Sequence, residues 1–69
     1  MFDMKKTGQK LKTLREKNGK TLEEVANDLG VTVSSYRKYE AGIRTPRDEL
    51  KERIANYFNR SVAFIFFNN

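Results

Sequence analysis

The chain has 69 residues, a formal charge of +5 and a sequence pI of about 9.8, and it contains neither cysteine nor histidine. This length allows one domain near the lower size limit for a stable hydrophobic core, so residues 1–69 are expected to form a single domain. The missing cysteines exclude disulfides and thiolate zinc sites, and the missing histidines remove the commonest general base and metal ligand. The composition argues against an enzyme, and the positive charge favours a polyanion such as nucleic acid or an anionic membrane surface.

The longest apolar run covers residues 62–67, far fewer than the roughly 20 residues that a membrane-spanning helix needs. The first lysine-rich segment has only a narrow apolar stripe, Leu11 and Leu14, with which to insert into a membrane surface. We therefore expect a soluble, cytoplasmic protein without a membrane partner.

Capping residues and glycines predict an all-helical chain, beginning with a helix that Asp3 caps and that ends before Gly19. Gly8 lies inside this helix, although a helical glycine costs up to about 1 kcal/mol relative to alanine. Its presence predicts either a close approach of another backbone or a later start of the helix.

Thr21 and Glu24 have the spacing of a capping box, which predicts the start of a second helix that Gly30 ends. Thr32 is the predicted cap of a third helix, which ends at Gly42.

Tyr36 and Tyr39 are three residues apart and therefore share one face of the third helix. They could act as stacking platforms for single-stranded nucleic acid. We instead predict that they are buried, because this helix has almost no other side chain that could anchor it.

Thr45 followed by Pro46 predicts the start of a fourth helix, because proline suits the first helical position. The inward face of this helix is expected to contain Leu50, Ile54 and Phe58. Ser61 is the predicted cap of a short fifth helix.

Two helices joined by a tight turn through Gly30 and Val31, the second with a polar outer face, form a helix-turn-helix layout over residues 21–42. The chain also contains, in this order and spacing, the segments Leu11–Arg15, Thr21–Ala26, Leu29–Thr32, Tyr39–Gly42 and Arg44–Pro46. In these segments the sequence resembles the phage repressor and Cro-like helix-turn-helix family, also called the XRE type. The resemblance implies an all-α, compact five-helix, lambda-repressor-like DNA-binding domain whose helices 2 and 3 form the motif and whose third helix enters the major groove.

Position by position, the resemblance implies that Val33, Ser34 and Lys38 read base edges, with Arg37 as a further candidate. Lysine can donate to guanine, serine can donate or accept, and valine can pack on a thymine methyl group.

Phosphate contacts are implied at the two helix N-termini, on the third helix and along the following loop. Lysine and arginine side chains can instead form a solvated surface that keeps the protein soluble. We prefer this role for the lysines of the first helix. The expected phosphate-binding residues are Lys20, Thr21, Thr32, Ser35, Arg44, Thr45 and Arg47.

Arg15 and Glu40 match an ion pair that, in the family, orients the third helix. The alternative is an ordinary surface pair worth about 0–1 kcal/mol, for which Glu40→Ala would leave stability nearly unchanged.

Two departures from the family pattern bear on function. Leu22 and Ala41 occupy positions where the family often has polar residues that contact phosphate, which predicts modest affinity per monomer. The C-terminal aromatic run cannot face one core on a helix, so we expect homodimer contacts from Phe64, Phe66 or Phe67. The alternative is a packed or disordered tail.

The sequence thus predicts a nucleoid-associated transcriptional regulator, such as a repressor or controller protein, that binds double-stranded DNA at a palindromic operator as a homodimer. The alternative is a protein-interaction module of antitoxin or antirepressor-partner type that keeps the fold without base reading. We expect no catalytic activity, no cofactor, no metal and no small-molecule effector. The acidic cluster of Asp48, Glu49 and Glu52 suits a helix N-terminus rather than a catalytic site.

Overall fold

The computed structural model describes residues 3–67. Within this range the chain forms five helices and no strand, which confirms the all-α prediction. The fifth helix has the wide hydrogen-bonding pattern of a π-helix. The elements are α1 (Met4–Lys17), α2 (Leu22–Leu29), α3 (Val33–Ala41), α4 (Asp48–Tyr57) and α5 (Ala63–Phe67).

Helix α1 begins where the sequence predicts. The Asp3 carboxylate accepts the backbone amides of Lys5 and Lys6 at 2.9 and 3.2 Å, and this satisfies donors that the first turn would otherwise leave unpaired. Gly8 is buried, and a Cβ atom built on it would lie 2.3 Å from the carbonyl oxygen of Glu40. Of the two explanations for this glycine, the close approach of another backbone is therefore the right one.

Helices α2 and α3 are joined by the predicted tight turn. Thr21 and Glu24 form the complete capping box, with the two reciprocal hydrogen bonds at 2.8 and 3.1 Å. The Thr32 hydroxyl accepts the Ser35 amide at 3.0 Å. Gly30 ends α2 with φ +74°, a left-handed conformation that glycine adopts without steric cost.

Helix α4 starts later than the sequence predicts. Its first residue is Asp48, and Arg47 occupies the cap position without a side-chain capping bond. The expectation that Pro46 starts the helix is therefore wrong. Pro46 is instead buried within the non-helical segment that leads into α4, so tertiary packing outweighs its local preference for the first helical turn.

The core is apolar and draws on all five helices, with Leu11, Tyr36, Ile54 and Ile65 fully buried. Phe66 is also fully buried. The prediction that Phe66 is a dimer contact is therefore wrong, because the fold already encloses its ring. Ser61 accepts the amide of Phe64 at 3.0 Å and so caps α5 as expected.

Candidate nucleic-acid interface

The outer face of α3 is polar and accessible. Ser34, Arg37 and Lys38 are exposed there, and Val33 at the first position is half-buried. The opposite face carries the two tyrosines, both buried as predicted, whose rings meet edge to face with centroids 6.3 Å apart. Helix α3 is therefore held firmly on one side and presents a short row of polar side chains on the other.

Arg15 and Glu40 form a bidentate ion pair between α1 and α3. The guanidinium Nε lies 2.7 Å from Oε2 of the carboxylate, and Nη2 lies 3.1 Å from Oε1. The side chains are only 12% and 7% exposed, so the alternative of an ordinary surface pair is wrong. The hydrogen bond to Glu40 raises the pKa of the Arg15 guanidinium, against the opposing effect of burial.

The same guanidinium also fixes the loop in front of α2. Its Nη1 donates to the carbonyl oxygen of Lys20 at 2.9 Å. Arg15 therefore connects α1, the α1–α2 loop and the end of α3 through three hydrogen bonds. Charge-assisted, bidentate hydrogen bonds of this kind fix the relative orientation of the two side chains and also stabilise the fold.

The Tyr36 hydroxyl lies buried near this ion pair. Among the described residues it has no hydrogen-bond partner at normal geometry. Burial raises the pKa of this hydroxyl, and the negative charge of Glu40 raises it further. Tyr36 is therefore neutral at any physiological pH and supports α3 chiefly through packing.

The first phosphate candidates sit at the starts of α2 and α3. Thr21 and Thr32 are exposed, and each hydroxyl already accepts a backbone amide within its own helix. A hydroxyl that accepts can still donate its hydrogen outward. The Lys20 ammonium, by contrast, lies 3.9 Å from the carboxylate of Asp28, which partly offsets its charge.

The loop between α3 and α4 contributes further cations. Arg44 and Arg47 are exposed, and both line an open groove of about 330 Å³ with Val31, Tyr39, Glu49, Leu50 and Arg53. The structure thus places the predicted loop arginines beside the α2–α3 turn.

Two features of this region were not predicted. The Arg53 guanidinium donates to the carbonyl of Leu29 at the end of α2, and Ile43 in the loop is 70% exposed. Neither feature could be predicted from the neighbouring residues in the sequence. The carbonyl that Arg53 reaches is 24 residues away in the chain, and an apolar residue in a loop does not reveal its own exposure.

Helix α4 is also joined to α2 through a side-chain hydrogen bond. The Tyr57 hydroxyl donates to the Asp28 carboxylate at 2.6 Å. Burial, together with this bond, raises the pKa of Tyr57 to about 12. The contact links the C-terminal end of α4 to the same carboxylate that lies near Lys20.

The C-terminal aromatic run divides into buried and exposed rings. Phe64 is 42% exposed and Phe67 is 56% exposed, whereas the two residues between them are buried. The Lys10 ammonium lies 4.7 Å from the Phe64 ring centroid and donates to the Phe64 carbonyl at 2.6 Å. The Lys51 ammonium lies 5.2 Å from the centroid of Phe67.

Across residues 3–67, no group of three or more acidic side chains has the arrangement of a metal site. The described helices also include none that is both long and apolar enough to cross a membrane.

Comparison with known proteins identifies the arrangement of α2 and α3. A family model described as helix-turn-helix matches residues 11–65. The chain is 38% identical over 62 residues to a protein of Pyrococcus abyssi (strain GE5 / Orsay) named as an HTH-type transcriptional regulatory protein, with 90% of this chain and 20% of that protein covered. It is 35% identical over 54 residues to the cryptic phage CTXphi transcriptional repressor RstR of Vibrio cholerae, with 78% of this chain and 49% of the repressor covered. The chain therefore spans about a fifth of the first relative and about half of the second.

Proposed function

Because the chain belongs to the XRE-type helix-turn-helix family of transcriptional regulators, we propose that it binds double-stranded DNA sequence-specifically, as a homodimer on a palindromic operator. Its role is that of a repressor or controller protein acting on the nucleoid in the cytoplasm, by binding and without catalysis, cofactor or small-molecule effector. Helix α3 lies in the major groove.

The observation that carries this proposal is that one face of α3 is packed against the protein while its polar face stays exposed. Two buried tyrosines and the Arg15–Glu40 pair hold α3, while Ser34, Arg37 and Lys38 remain exposed. A helix of this kind fits the major groove of B-DNA, where each base pair presents a distinct pattern of donors and acceptors. A helix that is already fixed in the free protein loses less conformational entropy on binding.

Candidate phosphate-binding groups on both sides of α3 support the same docking. The starts of α2 and α3, at Thr21 and Thr32, point unpaired amides and a positive dipole end towards an anion. Arg44 and Arg47 supply charge from the loop. We assign Lys20, Ser35 and Thr45 to the sugar-phosphate backbone as well.

Dimerisation is assigned to the exposed C-terminal rings. Phe67 borders a groove of about 310 Å³ that is also lined by Val62, Lys51, Asp48 and Glu52. The Lys51 ammonium already lies 3.5 Å from the Asp48 carboxylate of its own helix, so the contact is assigned to the apolar side chains. A second copy that covered the Phe67 ring and Val62 would bury the same apolar patch on both subunits, as a symmetric dimer interface does, and the exposed Phe64 ring is assigned to the same contact.

The test is selection of bound sequences from a random duplex library with competitor DNA present, with the complex sized by light scattering. We expect a palindromic consensus bound by two chains. Binding should weaken by about 10³- to 10⁵-fold between roughly 50 and 200 mM salt if about 6–10 phosphates are contacted. A failure to enrich any sequence over random DNA would overturn the proposal and favour a protein-interaction module.

Two variants separate base reading from phosphate binding. Lys38→Ala should cost about 1–3 kcal/mol on the best operator and relax the preference at one base pair, whereas Arg44→Ala should weaken all sequences alike. Lys17→Ala removes the same charge from α1 and is the control, because it should leave the base preference unchanged. If Lys38→Ala lowered affinity uniformly, its base-reading role would be wrong.

Phe67→Ser tests the dimer contact in the absence of DNA. The variant should sediment as a monomer at concentrations where the unmodified chain is dimeric. Ile43→Ser is the matched control, since it removes an exposed apolar side chain from a different surface and should leave the dimer intact. An unmodified chain that is monomeric at high micromolar concentration would contradict the assignment.

A further inference from the structure

Lys20 lies just before the start of α2, and its backbone and its side chain are held by different partners. Its carbonyl oxygen accepts Nη1 of Arg15 at 2.9 Å, and Arg15 is itself fixed by the ion pair with Glu40. Its ammonium lies 3.9 Å from Oδ2 of Asp28. The backbone of Lys20 is therefore fixed beside the start of α2, while its ammonium is directed along this helix towards the last turn.

The carboxylate of Asp28 is also held in place. The Tyr57 hydroxyl donates to Oδ2 of Asp28 at 2.6 Å, and the same oxygen is the one nearest the Lys20 ammonium. A neutral phenol that donates a hydrogen bond does not cancel the charge of a carboxylate. Asp28 is therefore a fixed negative charge within reach of Lys20.

The contact between Lys20 and Asp28 is loose enough to be exchanged for another anion. The two side chains are 40% and 42% exposed, and water and salt screen an ion pair that is exposed to this extent. The ammonium sits on a flexible aliphatic chain, so it can leave Asp28 for a DNA phosphate while the backbone of Lys20 stays in place.

Resting on the DNA-binding function proposed above, we infer that Asp28 holds the Lys20 ammonium away from the DNA backbone and so lowers the affinity for DNA. The ammonium is divided between the carboxylate and a phosphate, because it cannot contact both at short range. Asp28 is thus a positioning residue that acts through Lys20. Phosphate contacts carry no base preference, so removal of the Asp28 charge strengthens binding to all sequences alike.

Asp28→Asn is the variant that tests this role, because it removes the charge and keeps an oxygen that can accept from Tyr57. Binding to the best duplex of the library selection and to a random duplex is measured by fluorescence anisotropy. At low salt the variant should bind both duplexes about two- to five-fold tighter than the unmodified chain. The slope of log affinity against log salt should steepen by at most about 0.9 per protomer, the contribution of one phosphate contact.

A double-mutant cycle separates this role from direct repulsion between Asp28 and DNA. Lys20→Ala should weaken binding, and Asp28→Asn in the Lys20→Ala background should change the affinity by less than about 1.5-fold. Glu23→Gln is the matched control, since it removes another exposed carboxylate of α2 and should leave the salt slope unchanged. Circular dichroism checks that each variant keeps the fold.

An Asp28→Asn variant that binds DNA no tighter than the unmodified chain would overturn the inference and leave the proposed function standing. A gain in affinity that persists in the Lys20→Ala background, or that Glu23→Gln reproduces together with the steeper salt slope, would also overturn it. If neither the unmodified chain nor the variant binds any duplex selectively, the proposed function fails as well.

Discussion

Replacing Gly8 by alanine would place a methyl group where α1 and α3 have no room for it. The new Cβ atom would lie 2.3 Å from the carbonyl oxygen of Glu40 and 2.8 Å from that of Tyr39. Both are backbone atoms in a helix, so they cannot rotate away as the end of a flexible side chain could. Restoring an ordinary carbon–oxygen distance of about 3.3 Å would require the two helices to separate by about 1 Å.

The magnitude follows from two opposing effects. Alanine favours a helix interior over glycine by up to about 1 kcal/mol, whereas overpacking a filled interface costs about 1–3 kcal/mol, and more when the backbone must move. Because both clashing atoms are backbone, we expect a net loss of about 2 kcal/mol in the free energy of unfolding. In a domain of this size that loss lowers the Tm by about 8–16 °C.

Thermal unfolding followed by circular dichroism measures the change. Gln9→Ala is the matched control, because it substitutes the next residue of α1, which is exposed, and should change stability by less than about 0.5 kcal/mol. A Gly8→Ala variant with a raised Tm would contradict this expectation, since helix propensity would then outweigh the close helix contact.

Three further outcomes are expected. Glu40→Ala should destabilise the fold by about 2–4 kcal/mol in chemical denaturation, because it leaves the partly buried Arg15 without its carboxylate partner. Glu40→Gln keeps a hydrogen-bond acceptor and should cost less. A loss of stability below about 1 kcal/mol for the alanine variant would contradict this. Tyr36→Phe should stay within about 0.5 kcal/mol of the unmodified chain or exceed it, because no hydrogen bond is lost; a large loss would show that the hydroxyl is bonded. Tyr57 should titrate near pH 12 in an ultraviolet absorbance titration, a signal that Tyr57→Phe lacks. Its raised pKa means that the fold favours the protonated phenol, so this stabilisation is complete below the ordinary pKa of 10.0 and is lost as the pH rises through about 12. If Tyr57→Phe lost stability over that pH range to the same extent as the unmodified chain, the attribution would be wrong.

The helix boundaries could be predicted where they depend on neighbours in the chain. Asp3, Thr21 and Thr32 each accept an amide two or three residues further on, and such interactions depend on local sequence alone. The same reasoning failed at Pro46, because the preference of proline for a first helical turn is a local one, whereas the burial of Pro46 depends on tertiary packing.

The candidate site was predictable in outline. The exposed face of α3 follows from helical spacing once the tyrosines are placed inside, while the roles of Val33, Ser34 and Lys38 in base reading stay predictions. The contribution of the Arg15–Glu40 pair to the free energy of unfolding was not predictable, because it depends on how deeply the two charges are buried.

The C-terminal run shows the same limit. Its composition predicted that some rings would face outward, but only the packing of α5 decided that Phe66 is enclosed and that Phe67 is exposed. Side chains that differ little in hydrophobicity give no sequence signal for this choice.

The all-helical class, the caps, the helix-turn-helix layout and the basic charge could therefore be predicted from the amino-acid order, since these depend on residue type and on contacts within about one helical turn. The packing of the helices decided which backbone approaches Gly8, how deeply the Arg15–Glu40 pair is buried and which phenylalanines stay exposed. These features join residues that lie far apart in the chain, and their burial is settled only when the helices pack together.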